Sequence, residues 1–392
     1  MSILATAETT DNRLQALMDN LGGHYKKAVG YPLAKDFDYK KLFPFLEMSL
    51  NNCGDPFSES PYKVNSYKFE VEVIDFFADL FRAPMDNYWG YVTNGGTEGN
   101  LYGLYLARQS YPDAKAYYSK AAHYSIPKNL NILNVEAVEI HVDDHDEMDY
   151  CHFEEELDPN KPAIILASIG TTMREARDDL KKIKKALANK GITQYHIHCD
   201  AALDGMIAPF ISPRPAFDFV DGADSIAVSG HKFLGCPMPC GIVICKKTAV
   251  EAISRYIPYI DGYDETISGS RNGITPLFLW YALSKEGKTG LQKRVARCLS
   301  VASYTKDKLL QQGINVTLQA GRITLVFKKP APWIIKKWQL ATQGDIAHLL
   351  TVPGVTMDLM DEFVADMAKA STKVIRERMS HKMSEPSPNL PD

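Results

Sequence analysis

A chain of 392 residues, 45% hydrophobic and 23% charged, has ordinary globular composition and enough length to bury a full core. Its net charge of -4 sets up no strong attraction to nucleic acid or an anionic membrane, and no apolar run reaches the roughly 18 to 20 residues of a spanning helix. The opening "MSILATAETTDNRLQ" lacks a basic segment leading into a long apolar one, so no secretion signal is expected, and seven cysteines without a small-scaffold spacing suit a reducing, cytoplasmic compartment.

In chain order, residues 1–65 read as an amphipathic arm with a loop, "NNCGDPFSESPYK". "FEVEVIDFFADLF" predicts a helix over 69–81, stopped before Pro84. "YWGYVTN" predicts a strand and "GTEGNLYGLYLARQ" a helix that begins just after Gly95 and Gly96. "KAYYSK" and "VEAVEIHV" follow as strands around a helix, "HYSIPKNLNIL", that carries Pro127. The acidic stretch "HVDDHDEMDYCH" reads as a solvated loop. "PAIILAS" (162–168) is a short buried strand; "RDDLKKIKKALANKG" is a helix with acids first and Gly191 as its stop. "YHIHCD" is a strand ending on Asp200, and "DSIAVSG" and "CGIVICKK" complete the buried set. Strands alternating with helices imply an α/β domain around a mostly parallel sheet. After "LFLWYALSKEG" come a helix, two strands ("INVTL", "ITLVFK") and a last helix, "DLMDEFVADMAKAST". The expected division is therefore an arm (1–65), a large α/β domain (66–289), a small C-terminal α+β domain (290–379) and a loose Pro/Ser-rich tail (380–392).

Ligands of open α/β sheets sit beyond the carboxyl ends of the strands, and four features collect there. "TNGGTEGN" sets Gly95, Gly96 and Thr97 at a strand-to-helix turn, where bare amides can hold a phosphate. "HCDAAL" ends a strand on Asp200, "SGHK" ends another beside Lys232, and "SIGTT" brings Thr171 and Thr172. His123 follows the "YYSK" strand. Each has a plainer reading: the Gly-Gly turn as backbone necessity, Asp200 as a helix cap, Lys232 as a solvated turn residue. Taken as an ordered set, they match what pyridoxal phosphate needs: an amine for the Schiff base, an acid for the pyridine nitrogen and an anion cradle.

The stretches "NNCGDPFSES", "YWGYVTNGGTEGN", "HYSIPK", "IGTT", "HCDAAL", "SGHKFLGCPMPCG", "ISGSRNG" and "WQLATQG" span roughly residues 28 to 370. In that order the chain resembles the group II pyridoxal-phosphate decarboxylases, above all the bacterial histidine decarboxylases and the plant serine decarboxylases. The resemblance implies the fold-type I, aspartate aminotransferase-like architecture and an obligate homodimer with active sites at the subunit interface. It also implies roles. Lys232 would carry the covalent bond to the cofactor aldehyde and Asp200 would pair with the ring nitrogen. His123 would stack on one ring face, with Ala202 against the other. Gly95, Gly96, Thr97 and Ser229 would hold the phosphate with His231 beside it, and Thr171 or Thr172 would sit near the ring substituents. Ser268 and Gly269 would reach the neighbouring subunit's phosphate. A tyrosine of "RYIPYIDGYDETISG", which offers Tyr256, Tyr259 and Tyr263, would return a proton to the substrate, with Tyr259 or Tyr263 favoured.

The implied reaction is decarboxylation of an L-amino acid to the primary amine and CO2, with L-histidine to histamine first and L-serine to ethanolamine second. Ile274 departs from the pattern, since the related enzymes carry His after "SRNG"; Glu175 stands where a glycine is typical; and "GDPFSES" and "GCPMPCG" look more like the serine enzymes. A pyridoxal-phosphate aminotransferase or lyase would use the same lysine and aspartate. A metal site is the remaining rival: His196, His198 and Cys199 in one strand, with His196 and His198 sharing a face, or His141, His145 and His152 among acids. The expected metal content is none.

Overall fold

The computed structural model describes residues 7–383, with side-chain surroundings described over 9–370. The chain opens with α1 (Ala7–Tyr25), a 3-10 turn at Lys40–Glu47 and the short β1 (Asn51–Cys53). Then come α2 (Tyr67–Leu80), β2 (Trp89–Thr93), α3 (Gly96–Ser110), β3 (Lys115–Ser119), α4 (Ser125–Ile132), β4 (Ala137–Ile140), α5 (Tyr150–Glu156), β5 (Ala163–Ser168), α6 (Leu180–Asn189) and β6 (Tyr195–Asp200). β7 (Ser225–Ser229), β8 (Gly241–Cys245), α7 (Lys247–Glu251), β9 (Arg255–Ile257), β10 (Gly262–Asp264) and β11 (Ser270–Asn272) lead to α8 (Ile274–Gln311). The chain closes with β12 (Val316–Thr317), β13 (Thr324–Lys328), α9 (Pro332–Trp338), β14 (Ala341–Gln343), β15 (Ile346–Leu350) and α10 (Met357–Met383).

Local chemistry accounts for these elements. In α2, Val73, Ile74, Phe77 and Ala78 form one buried stripe at helical spacing, and the chain leaves the helix through Arg82 at positive φ, ahead of Pro84. Asp179 caps α6 by accepting from the amides of Lys181 and Lys182. The acidic stretch is non-helical over 141–149, as expected, and its last three residues begin α5, where Asp149 accepts from the amides of Cys151 and His152 and caps the helix.

Seven strands form one sheet in the order β2-β8-β7-β6-β5-β3-β4. The β4, β3, β5, β6 and β7 ladders are parallel, and β8 runs antiparallel to both β7 and β2. The reversal at β8 follows from its connection, residues 230–240, which is too short for the helical crossover that a parallel return requires. That connection contains Lys232.

The chain divides into two compact units: Leu33–Arg297 with Val352–Gly354, which holds the large sheet, and a second built from the residues through Pro32, Cys298–Thr351 and the stretch from Val355. The sequence reading instead placed its divisions at 65/66 and 289/290. Residues 33–39 belong with the large sheet because they bond to its lysine loop: Ala34 N donates to Lys232 O at 3.3 Å and the Tyr39 hydroxyl to Leu234 O at 2.6 Å. The second unit carries an antiparallel sheet, β12-β13-β15-β14, of which only the first two strands were expected. The helix expected after "LFLWYALSKEG" is continuous with that stretch in α8, which is broken at Gly287 (φ 58°). The expected tail from Ser380 starts inside α10, and 384–392 lie outside the described residues.

One face of the large sheet is covered by α3 at unusually close range. A Cβ on Gly96 would lie 2.6 Å from Ser229 Oγ, one on Gly99 2.9 Å from Ala227 Cβ, and one on Gly103 2.1 Å from His198 Nδ1. We predict that Gly103→Ala lowers stability by about 1–3 kcal/mol in urea unfolding, because overpacking the buried ring outweighs the roughly 1 kcal/mol gain in helix propensity. A neutral or stabilising outcome would mean that α3 lifts from the sheet without cost.

Candidate active site

The period of two along a strand puts alternate residues on one face. His198 pairs with Ser225 and Asp200 with Ala227 across β6 and β7, and Ser168 pairs with Asp200 across β5 and β6. The α3 contacts place His198, Ala227 and Ser229 on the covered face, so Ser168 and Asp200 share it. The carboxyl ends of β5, β6 and β7 thus present Ser168, Asp200 and Ser229 side by side, under the start of α3.

At the turn into α3, Gly95 has φ 153° and ψ 172°, a conformation closed to residues with a Cβ. Gly96 opens the helix with its amide uncovered beside Ser229 Oγ, and Ala202 Cβ lies 3.7 Å from the same missing Cβ position. Gly96, Ser229 and Ala202 therefore converge. Thr97 follows on the exposed side, its carbonyl accepting from Asn129 Nδ2 of α4 at 3.0 Å. Glu98, which the sequence reading missed, clamps the turn: its Oε2 accepts from Asn94 N (3.1 Å) and Asn94 Nδ2 (2.6 Å), and its Oε1 accepts from the Tyr91 hydroxyl (3.1 Å). The signal was available, since an acid three residues into a helix commonly reaches back to its start.

Asp200 ends β6 only 8% exposed, one carboxylate oxygen accepting from Ala202 N at 3.2 Å. His123, half-buried after β3, is fixed by Ser125, whose Oγ lies 2.8 Å from His123 Nδ1. Burial lowers the imidazole's pKa; the charge of Asp200 opposes that shift, and Lys232 and Lys128 add to it. The ring therefore lies within electrostatic reach of both Asp200 and Lys232.

Lys232 follows β7 and is flanked by the fully buried Phe233 and Leu234. Its side chain retains some accessible surface but runs deep enough that burial lowers the ammonium's pKa, against the pull of Asp200. Among the described residues its amine makes no hydrogen bond and no ion pair. A buried amine without a partner is costly to keep charged, and such groups mark reactive sites. Beside it His231 Nδ1 lies 2.9 Å from Cys240 O, and burial lowers its pKa too.

The remaining predicted residues are less convergent. Thr171 is buried, with its Oγ1 accepting from Ala176 N, and Thr172 is exposed. Ser268 lies against its own chain's phosphate-turn candidate, 3.4 Å from Asn94 Nδ2, with Gly269 exposed next to it. Tyr263 pairs with Tyr256 across the β9-β10 ribbon, and Tyr259 is 88% exposed. None of these tyrosines makes a hydrogen bond to Lys232, His123 or Asp200 among the described residues. The histidines of the metal reading are already bonded: His196 and His198 both meet Ser225 Oγ (2.9 and 2.8 Å), and His198 also meets Asn100 Oδ1 at 3.0 Å. His141 and His152 stack on one another.

Bare helix amides beside Ser229, a buried unpaired amine and a carboxylate at a neighbouring strand end fit pyridoxal phosphate, with a seat for the phosphate, a nucleophile for the aldehyde and a counter-charge for the ring nitrogen. Comparison with known proteins agrees. Residues 44–328 match the pyridoxal-dependent decarboxylase conserved domain. A histidine decarboxylase of Mesorhizobium japonicum is 47% identical over 86% of this chain and 91% of its own. Serine decarboxylase 3 of Oryza sativa subsp. japonica is 44% identical over 88% of this chain and 78% of its own. Among solved structures, the L-methionine decarboxylase of Streptomyces sp.590 superposes with a TM-score of 0.87 at 26% identity, over 94% of this chain and 96% of its own. With the strand-end lysine, the carboxylate and the glycine turn all in place, the chain belongs to the pyridoxal-dependent decarboxylase family.

Proposed function

We propose that this enzyme decarboxylates L-histidine to histamine and CO2. The observation that carries the reading is Lys232, a buried amine without a partner at a strand end, within electrostatic reach of Asp200 and His123. Bound pyridoxal phosphate supplies an electron sink for the bonding pair released when the substrate's carboxylate leaves. Lys232 would hold the cofactor at its aldehyde end, and its amine suits that role because burial favours the neutral form. Asp200 keeps the ring nitrogen protonated. His123 and Ala202 confine the ring from its two faces. Gly95, Gly96, Thr97 and Ser229 seat the phosphate at the start of α3, with His231 beside it and Thr171 or Thr172 at the ring substituents. Tyr259 or Tyr263 returns the proton to Cα.

The homodimer is part of the proposal. On α1, Leu14, Leu17, Met18 and Leu21 form an exposed apolar stripe at helical spacing, and Tyr256, Tyr259, Tyr263 and Ile267 are exposed on one short segment. Apolar surface of this kind suits a permanent partner, with Ser268 and Gly269 close to it. The seven free thiols support a reducing, cytoplasmic setting. No described helix is long and apolar enough to cross a membrane.

Histidine comes first because several histidine decarboxylases match at 43–47% identity over most of the chain. Serine is the alternative because "GDPFSES" and "GCPMPCG" look more like the serine enzymes and a serine decarboxylase matches at 44% identity; Ile274, 8% exposed at the start of α8, departs from both groups. Carboxyl-labelled histidine, serine, alanine, valine and aromatic amino acids are the deciding panel. Labelled CO2 with no keto acid is expected, fastest from histidine; faster release from serine would move the assignment. Lys232→Ala should abolish turnover and leave the apoprotein as stable as wild type or more so, since it removes a buried amine that has no partner. Retained turnover in that variant would refute the covalent role. Asp200→Asn should lower kcat by on the order of 10²-fold or more while weakening cofactor binding by less than about tenfold. Steady-state kinetics and equilibrium dialysis separate the two effects, and an unchanged kcat would remove Asp200 from the reaction.

A further inference from the structure

The lysine loop carries two cysteines that no part of the proposed reaction uses. In "FLGCPMPC", Cys236 and Cys240 are buried while Pro237 and Pro239 between them are exposed, so the turn faces outward and the thiols inward. Both cysteines are tied to one residue: Cys236 N donates to Gly230 O at 3.3 Å, and Gly230 N donates to Cys240 O at 2.9 Å. That shared anchor folds the turn back on itself and makes the two thiols hydrogen-bonding neighbours. Cys240 Sγ lies 2.8 Å from where a Cβ on Gly230 would stand, and Cys240 O lies 2.9 Å from His231 Nδ1. The pair therefore braces the two residues that lead into Lys232. Cys236 is the more accessible thiol, 5% exposed against 0% for Cys240. The hydrogen bond from Cys240 favours its thiolate and lowers its pKa, although burial opposes the shift. In a reducing compartment, neighbouring thiols that do pair are chiefly transient and redox-sensing.

We propose that Cys236 and Cys240 form a reversible disulfide that switches the enzyme off when a peroxide oxidises the lysine loop. The Cys236 thiolate attacks one oxygen of hydrogen peroxide and the O–O bond breaks. The departing hydroxide takes up a proton and leaves as water, and the sulfur, oxidised by two electrons, becomes a sulfenic acid. The Cys240 sulfur then attacks that sulfur, and the sulfenic hydroxyl leaves with the Cys240 proton as a second water. A dithiol returns the two electrons and restores both thiols. Bonding draws Cys240 toward Cys236, which shifts its carbonyl from Gly230 N and His231 and moves the segment that carries Lys232. The loss of turnover rests on Lys232 being the cofactor's lysine; the disulfide itself does not.

The test exposes the holoenzyme to hydrogen peroxide as wild type, Cys236→Ser and Cys240→Ala, then returns half of each sample to dithiothreitol. CO2 release from the best substrate of the panel is assayed. Free thiols are alkylated before digestion, and tandem mass spectrometry reads which cysteines are bonded. The wild type should carry the 236–240 bond and lose turnover by on the order of 10²-fold, the cost of misplacing a reacting group by about 1 Å. Dithiothreitol should restore its rate. Both variants should start near the wild-type rate and keep it in peroxide. Absence of the bond overturns the proposal, as does a bond that leaves the rate unchanged. So does a loss that the variants share, since another thiol, such as the exposed Cys151, would then be responsible. If one variant fails to fold, the wild type and the other variant decide. Should the reduced wild type bind no pyridoxal phosphate, the fault would lie with the cofactor assignment, and the mass reading alone would judge the pair.

Discussion

The helix Gly96–Ser110 can lie on the sheet as closely as it does only because three residues of its inner face carry no side chain. Gly96, Gly99 and Gly103 pass over Ser229, Ala227 and the ring of His198 in turn. That approach brings the start of the helix, where amide groups are uncovered, down to the strand ends that hold Asp200 and Ser229. The same closeness explains the buried histidine pair: His198 fills the space under Gly103, and Ser225 and Asn100 satisfy its nitrogens. Burial depresses its pKa to about 3, so this neutral ring is a packing unit. The pattern that suggested chelation is a hydrogen-bonded layer between helix and sheet.

Charges inside the large unit divide by whether they are paired. Arg271 binds Glu70, with Glu70 also accepting from Val92 N and Asn52 Nδ2, and Arg177 binds Asp204 in a two-pronged contact. These pairs tie distant segments together: β11 to α2 and β2, and the stretch after β5 to the stretch after β6. Breaking one would leave an uncompensated buried charge. Lys232 is the opposite case, an amine desolvated without an ion-pair partner. A fold gains nothing from such a group unless chemistry uses it, which is why the pairing pattern, more than depth alone, separates the reactive cation from the structural ones.

The lysine loop owes its place to its length. Between β7 and β8 the chain has too few residues for a helical crossover to a parallel strand, so β8 returns antiparallel and the loop stays at the strand ends. Segments remote in sequence complete its surroundings, with Ala34 and Tyr39 bonded to the carbonyls of Lys232 and Leu234 and Leu279 of α8 against Gly230.

Local rules read the alternation of strands and helices in 66–289 well, because period two, period 3.6, caps and glycine stops are properties of neighbouring residues. They failed where context decides. The Asp149 cap was hidden among acids, and β14 and β15, short strands of the second unit, carry little periodic signal of their own. The order of "TNGGTEGN", "HCDAAL" and "SGHK" made the cofactor and the family legible, since each motif marks a strand end and strand ends of a parallel sheet gather on one side. No order of letters, however, could show that Lys232 lacks an ion-pair partner, that Ser168 stands in register with Asp200, or that Ala34 bonds to the lysine loop. Those facts depend on which strands become neighbours and what each side chain meets across the ladder, and that is settled only when the whole sheet is assembled.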